Sequence, residues 1–394
     1  MLFSRHLVTV LLLMLFAVSP CGPAKAAETD PEALPSDFPG FSIGDLRRLA
    51  DLVQRTGLGP DKIPALTDPA YMSISDANLS MDDEEIVFVV HYRKDLVHIY
   101  PQRIMVWHEV LNETPPDAQK STQPSYLSGG GGGLDKGDGY TITYCPLTGS
   151  VAAFRSKASK YPSTFGVSGN VLNGNTVLYD RVSHSLWSQL MGVCIEGPFR
   201  GKRLERIPVL WANWGGVKER YAENGKVLSR STGFRRSYGK DPYGNYLAPG
   251  TYYDDNRLPF PVSYLDPRLA PKTRILGISA DAAFGAVIVD AVKEQKVLNF
   301  TLGIIPMVAI YDEQLNAVRV FDRRLPDQAN PLSFIVIDNK LLDEQTRSEW
   351  ATTGNCTYGR LREKELAEVV ATPSMWFAWA SFYRGTQIFP FKEL

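Results

Sequence analysis

The sequence predicts a mainly β protein, a β-rich α+β fold of two related half-barrel or sandwich-like halves with a few short helices and an N-terminal helix. Three observations carry this reading. Gly and Pro number 32 and 27 in 394 residues, and aromatics make up 11%, a composition that suits many short strands joined by turns better than a helical bundle. Apolar runs are short and are punctuated by turn residues. A set of residue spacings found in the earlier part of the chain also returns in the later part.

Composition limits the function classes. Apolar content of 44% and charged content of 22% are those of a globular protein with a sizeable core. The formal net charge of −1 provides no bulk attraction to nucleic acid or anionic lipid. No basic stripe reverses that, so no nucleic-acid partner is expected; a small ligand or protein partner is left open.

Residues 1–26 read as a signal peptide. Arg5 and His6 give a basic start, and Leu7 to Val18 form an apolar run of 12 residues. A span needs about 20. Ala24-Lys25-Ala26 supplies a small-x-small cleavage site before Ala27. The expectation is export, to a periplasmic or extracellular place, with cleavage near Ala26. The competing expectation is a lipoprotein anchored at Cys21, although Pro20 stands where a small residue is wanted. No later run is long enough for a transmembrane helix.

Residues 27–62 read as a loose leader followed by a helix over Ser42 to Thr56, with Gly57 as its stop. Residues 63–240 form the first half. There Glu85 to Tyr92 and Leu96 to Tyr100 read as partner strands, and Pro101 opens a short helix with Ile104, His108 and Leu111 on one face. Asn112 to Tyr140 is polar and holds five consecutive glycines, Gly129 to Gly133; it reads as a flexible insertion. It is no phosphate loop, because no Gly-Lys-Ser/Thr follows. Thr141 to Phe154 contains two β-rich runs around a turn, with Cys145 at the corner. Ser163 to Ser168 and Thr176 to Asp180 are strand-like, and Trp187 to Cys194 and Ile207 to Trp214 follow. Residues 241–271, dense in Pro, Tyr and Asp, read as a linker, and 272–394 as a second, degenerate half.

The repeat rests on ordered matches. Tyr144, Val151 and Phe154 match Tyr311, Val318 and Phe321. Asp180, Ser185 and Trp187 match Asp343, Ser348 and Trp350. Cys194 matches Cys356, and Trp211 and Trp214 are set against Trp376 and Trp379. The offsets are 167, 163, 162 and 165 residues. Upstream, Val110-Leu111-Asn112 matches Val297-Leu298-Asn299. This places His108 against Gln295, Glu109 against Lys296 and Cys145 against Asp312. The earlier half thus holds a His and a Cys that the later one lacks.

Several long motifs resemble the exported bacterial family catalogued as domain of unknown function number 3179. They are Tyr100-Pro101 with Trp107-His108-Glu109 and Asn112, Tyr144 to Gly149, Phe165 to Gly169, and Tyr179-Asp180-Arg181 with Trp187 and Gln189. The resemblance runs from about Ile63 to the end. It implies an exported bacterial protein and supplies no activity. The chain departs from the pattern at the glycine-rich insertion. It departs again at Ser381-Phe382-Tyr383-Arg384, where the family often reads Ala-Phe-His-Pro.

Cys145 and His108 are the candidate site residues, whether catalytic or metal-binding. A thiolate and an imidazole suit copper or zinc, so a transition metal such as copper is the leading expectation. His91 and His98 would complete a ligand set only if the fold brings them near. The alternative is an enzyme using Cys145 as a redox or nucleophilic thiol, and a third reading is a non-catalytic scaffold. The bland counterparts are a buried, inert Cys145, a core His108 bonded to backbone, and a solvated Glu109. The tryptophans read as core. Three cysteines, Cys145, Cys194 and Cys356, remain after cleavage, and an exported chain permits a Cys194–Cys356 or Cys145–Cys194 bridge.

Overall fold

The structure is a computed structural model and describes residues 40–93, 96–114, 139–280 and 282–390. The leader with Cys21, and the run Gly129 to Gly133, lie outside these residues. The fold is mainly β: the described residues form seven sheets, each with a linear strand order, so that none of these closes into a barrel.

The hairpin of Ile86–Arg93 and Leu96–Pro101 shows why the strands read as continuous apolar runs. Side chains alternate across a strand. Val87, Val89, Val97 and Ile99 enter one core with Trp214 and Leu315. Phe88, Val90, Tyr92 and Tyr100 enter another with Tyr140 and Tyr144. Both faces are covered, so hydrophobic residues occupy both.

From this hairpin the chain forms a one-turn helix, Gln102–Met105, and a three-stranded antiparallel meander of Val110–Glu113, Tyr140–Cys145 and Ser150–Arg155. Four antiparallel strands follow, Phe165–Leu172, Asn175–Asp180, Leu186–Ser188 and Val193–Glu196, in a five-stranded sheet whose edge is Gln54–Arg55. The chain then returns: Leu210–Asn213 pairs with Ile86–Arg93, helix Trp214–Arg220 follows, and Gly225–Leu228 lies parallel to Leu96–Pro101.

The chain from Arg274 onward takes the same route. Hairpin Arg274–Ala280/Ala283–Ile288 leads to helix Val289–Gln295 and the meander Val297–Leu302, Ile305–Asp312 and Ala317–Asp322. Strands Phe334–Ile337, Lys340–Asp343, Glu349–Trp350 and Cys356–Tyr358 form the next sheet. Thr372–Met375 returns to Arg274–Ala280, helix Trp376–Phe382 follows, and Gln387–Phe389 lies parallel to Ala283–Ile288.

The correspondence reaches individual bonds. Trp187 Nε1 donates to Asp180 Oδ2 at 2.9 Å, and Trp350 Nε1 to Asp343 Oδ2 at 3.1 Å. Asn112 clasps the backbone of Phe165 at 3.0 and 2.9 Å, and Asn299 clasps that of Phe334 at 2.8 and 2.9 Å. Glu109 and Lys296 both take positive φ, at 57° and 66°. Their carbonyls accept from Tyr144 N at 2.8 Å and Tyr311 N at 2.9 Å. The two runs also grip each other reciprocally. Met375 N–H donates to Thr148 O at 2.8 Å, and Asn213 N–H to Leu315 O at 2.9 Å.

Several expectations change. The N-terminal helix spans Ile43–Asp51 and is closed by a Ser42/Asp45 capping box. It ends short of Thr56 because Gln54 and Arg55 pair with Val171 and Asn170. The helix after Pro101 ends at Met105, since Glu109 turns the chain and Leu111 belongs to a strand. Trp214 corresponds to Trp376, each opening the helix after a return strand, whereas Trp211 lies within its strand and Trp379 within its helix. All three described cysteines are free. Cys194 and Cys356 each direct Sγ to a carbonyl of their own strand, Glu196 O at 3.2 Å and Tyr358 O at 3.5 Å.

Candidate functional site

Cys145 ends the second meander strand, opposite Ser150, and the turn between them closes through Gly149 at φ 56°. A side chain there would sit 3.1 Å from the Tyr246 hydroxyl, so the turn needs glycine for conformation and for room. The thiol is fully buried. Its Sγ lies 3.9 Å from the carbonyl of Gly174. Gly174 belongs to an Asn-Gly hairpin turn, with Asn173 and Gly174 at φ 51° and 74°.

Glu109 faces the same space. Its Oε2 accepts from the Thr176 hydroxyl at 2.7 Å. Burial pushes this carboxyl up to about 7, against the pull of the Thr176 bond. Burial also raises the Cys145 thiol, and the nearby Glu109 charge raises it further; the Thr148 and Thr176 hydroxyls oppose both. The sulfur is therefore a protonated thiol at neutral pH, beside a carboxyl that titrates there.

A buried amide and hydroxyl network holds this corner. Asn175 Nδ2 donates to Thr148 Oγ1 and Ser150 Oγ at 3.0 Å each and to Gln189 Oε1 at 2.8 Å. Gln189 Nε2 donates to Thr143 Oγ1 at 3.0 Å. The network is dense enough to fix the rotamers around the turn.

The 241–271 segment covers the corner with tyrosines. The Tyr252 hydroxyl donates to Leu147 O at 2.5 Å, and the Lys272 ammonium lies 3.6 Å from the centre of its ring. Lys272 also pairs with Asp255 at 2.8 Å. The Cys145 charge raises the Tyr252 hydroxyl after burial does, and that of Tyr243 is raised by burial, then Glu109, then Cys145. Both hydroxyls thus stay protonated, that of Tyr252 as the donor to Leu147 O. Reading this segment as a linker missed its role as a cover.

His108 is placed elsewhere. Its Nδ1 contacts Pro64 O and its Nε2 the Tyr238 hydroxyl, both at 2.7 Å. Burial pushes the imidazole down, partly offset by the Pro64 carbonyl. Both ring nitrogens are engaged, and no hydrogen bond joins His108 to Cys145. His91 Nε2 contacts the Tyr221 hydroxyl at 3.2 Å, while His98 is stacked between Tyr71 and Tyr92 and contacts the Tyr140 hydroxyl at 2.7 Å. Among the described residues no group of three or more His, Cys, Asp or Glu is arranged to hold a metal ion. The donor set around Cys145 does not fit the expected copper or zinc.

Sequence reasoning read Glu109 as solvated, yet it is 6% exposed. The available signal was its position against Lys296. In the later half Asp312 replaces Cys145, and it accepts from Leu315 N at 3.1 Å, Thr352 Oγ1 at 2.6 Å and Arg220 Nη1 at 3.3 Å. Asp312 is a turn cap and ion-pair partner, roles that a thiol does not fill.

Among the described residues no helix is long and apolar enough to cross a membrane. No curated protein and no solved structure matches the chain. The model of the family described as protein of unknown function (DUF3179) matches residues 60–122 and 134–386, and the chain belongs to that family.

Proposed function

We propose that this is an exported protein, released after cleavage near Ala26, in which one of two duplicated halves carries a thiol-dependent catalytic centre made of Cys145 and Glu109. One observation carries the reading: the buried Glu109 carboxyl, raised to about 7, acts on Cys145, which among the described cysteines is the one set against a residue other than cysteine. A general base works best when its pKa lies near the working pH. The step is nucleophilic. Glu109 takes the Sγ proton while sulfur forms a bond to a carbonyl carbon, and the C=O π pair moves onto oxygen. Glu109 then returns the proton either to that oxygen, which completes an addition, or to the leaving group as its bond to carbon breaks and the oxygen pair re-forms C=O, which leaves a thioester on Cys145. The Tyr243 hydroxyl supplies a donor on the covering side. A redox role is less well supported, because Cys194 and Cys356 bond to their own strands.

Complete burial of Cys145 favours a second reading, a scaffold in which the thiol only packs. Alkylation of the native protein by iodoacetamide, followed by mass mapping, separates the two. A centre that opens to substrate modifies at Cys145 faster than the chain unfolds globally. Modification no faster than global unfolding removes the catalytic reading and leaves the scaffold.

A further inference from the structure

A cleft lies at the seam between the two runs, with Trp211, Arg274, Lys293, Arg319 and Glu368 set among apolar residues of its lining. Its charge is unbalanced. Arg319 is 6% exposed, and its Nε and Nη2 are buried without a hydrogen-bond partner. Its one ion-pair contact is Glu368 at 3.7 Å, a carboxylate whose side chain is 35% exposed. Arg274 lays its guanidinium over the Trp211 ring at 4.2 Å and has no carboxylate or carbonyl partner among the described residues. Lys293, in the last turn of helix Val289–Gln295, adds a third cation. Asp290 on the same helix acts on both Arg274 and Lys293. Three cations therefore line the cleft with Glu368, and Asp290 acts on two of them.

The Arg274 guanidinium lines the cleft with donors that no carboxylate or carbonyl among the described residues takes, and an anion entering the cleft can accept from them. Guanidinium forks match the planar or tetrahedral oxygens of carboxylate and phosphate. The cavity of about 30 Å³ holds roughly two water-sized centres, room for the leading oxygens of such a group. We propose that this seam cleft binds a small oxyanion or carboxylate group, held by Arg274 and Lys293, with the Arg319 charge behind them and the Trp211 ring backing Arg274. Such a ligand would touch both runs at once and tie their relative position to its own presence. The site is separate from Cys145 and does not depend on its chemistry.

The test is isothermal titration of the full chain with inorganic phosphate, sulfate and acetate in separate arms, at constant ionic strength set by chloride. The expected result is saturable binding of at least one anion, weakened tenfold or more in both Lys293→Gln and Arg274→Gln. The arm that responds fixes whether the group is an oxyanion or a carboxylate. Should Arg274→Gln fail to fold, Lys293→Gln carries the comparison, with circular dichroism checking its fold. No saturable binding in any arm, or equal binding in a folded Lys293→Gln, overturns the proposal.

Discussion

The Thr176 hydroxyl donates to Glu109 Oε2 at 2.7 Å, and it is the contact that holds this buried carboxyl down against desolvation. The consequence for stability has a definite sign. Between 4.5 and about 7 the native carboxyl keeps a proton that the unfolded chain has released. Stability is therefore full below about 4.5, falls as pH rises toward 7, and is level above. The interval corresponds to about 3 kcal/mol. Glu113, also raised to about 7 by burial, adds a loss of the same sign. Glu109→Gln should remove Glu109's share, so that urea unfolding at pH 5 and pH 7.5 differs less in the variant than in the parent by about 2–3 kcal/mol. An unchanged difference would place Glu109 in contact with water.

Much of this architecture was legible in the sequence where local bonds fix a spacing. Asp180 and Trp187, and Asp343 and Trp350, are seven apart because each aspartate binds the indole across one hairpin turn. Such a unit keeps its spacing when the rest of the chain drifts. The tryptophan match slipped by three residues: Trp214 and Trp376 each open a helix, and their offset of 162 is the one that Cys194 and Cys356 share, whereas the pairing by indole count used 165. The pairing of His108 with Cys145 failed for a backbone reason. Glu109 takes φ 57°, so the consecutive side chains of His108 and Glu109 leave in different directions, one to Tyr238 and the other to Thr176. No propensity scale expects a positive φ at glutamate.

The two aspartate turns make a matched prediction. Asp180 Oδ1 accepts from Ser183 N at 2.6 Å, and Asp343 Oδ1 from Thr346 N at 2.6 Å, in addition to the indole bonds. Both residues are fully buried. Asp180→Ala and Asp343→Ala should each cost about 2–4 kcal/mol in chemical denaturation, through buried donors left unpaired. Costs differing by more than about 2 kcal/mol would mean that the two turns carry different loads despite equal bonding.

Gly216 tests the grip between the runs. A Cβ there would lie 1.8 Å from the carbonyl oxygen of Gln314 and 2.5 Å from its carbon. Backbone cannot yield as a side-chain tip does. Gly216→Ala should destabilise by about 2–3 kcal/mol or more, although alanine is the better helix former by about 1 kcal/mol. Thermal unfolding measures it, and a stabilised variant would mean that this helix does not pack against Gln314.

Tyr252 is the most direct probe of whether the cover controls the thiol. Its hydroxyl ties the 241–271 segment to Leu147 O, two residues beyond Cys145, while its ring rests on the Lys272 ammonium. Tyr252→Phe keeps the ring and the cation contact and deletes one hydrogen bond, worth about 1 kcal/mol. If local lifting of this segment exposes Cys145, the opening equilibrium shifts about fivefold, and alkylation of Cys145 should quicken by that factor. Global stability should move by no more than about 1 kcal/mol. Lys272→Met, which removes the Asp255 pair and the cation beneath the ring, should act in the same direction. Glu109→Gln should act differently, because it removes a neighbouring negative charge and so lowers the thiol's pKa. Its alkylation rate should climb at a lower pH than the parent's, without a change in opening. If Tyr252→Phe leaves the rate untouched while Glu109→Gln still moves its pH dependence, the reagent reaches the sulfur by another path and the tyrosines are packing alone.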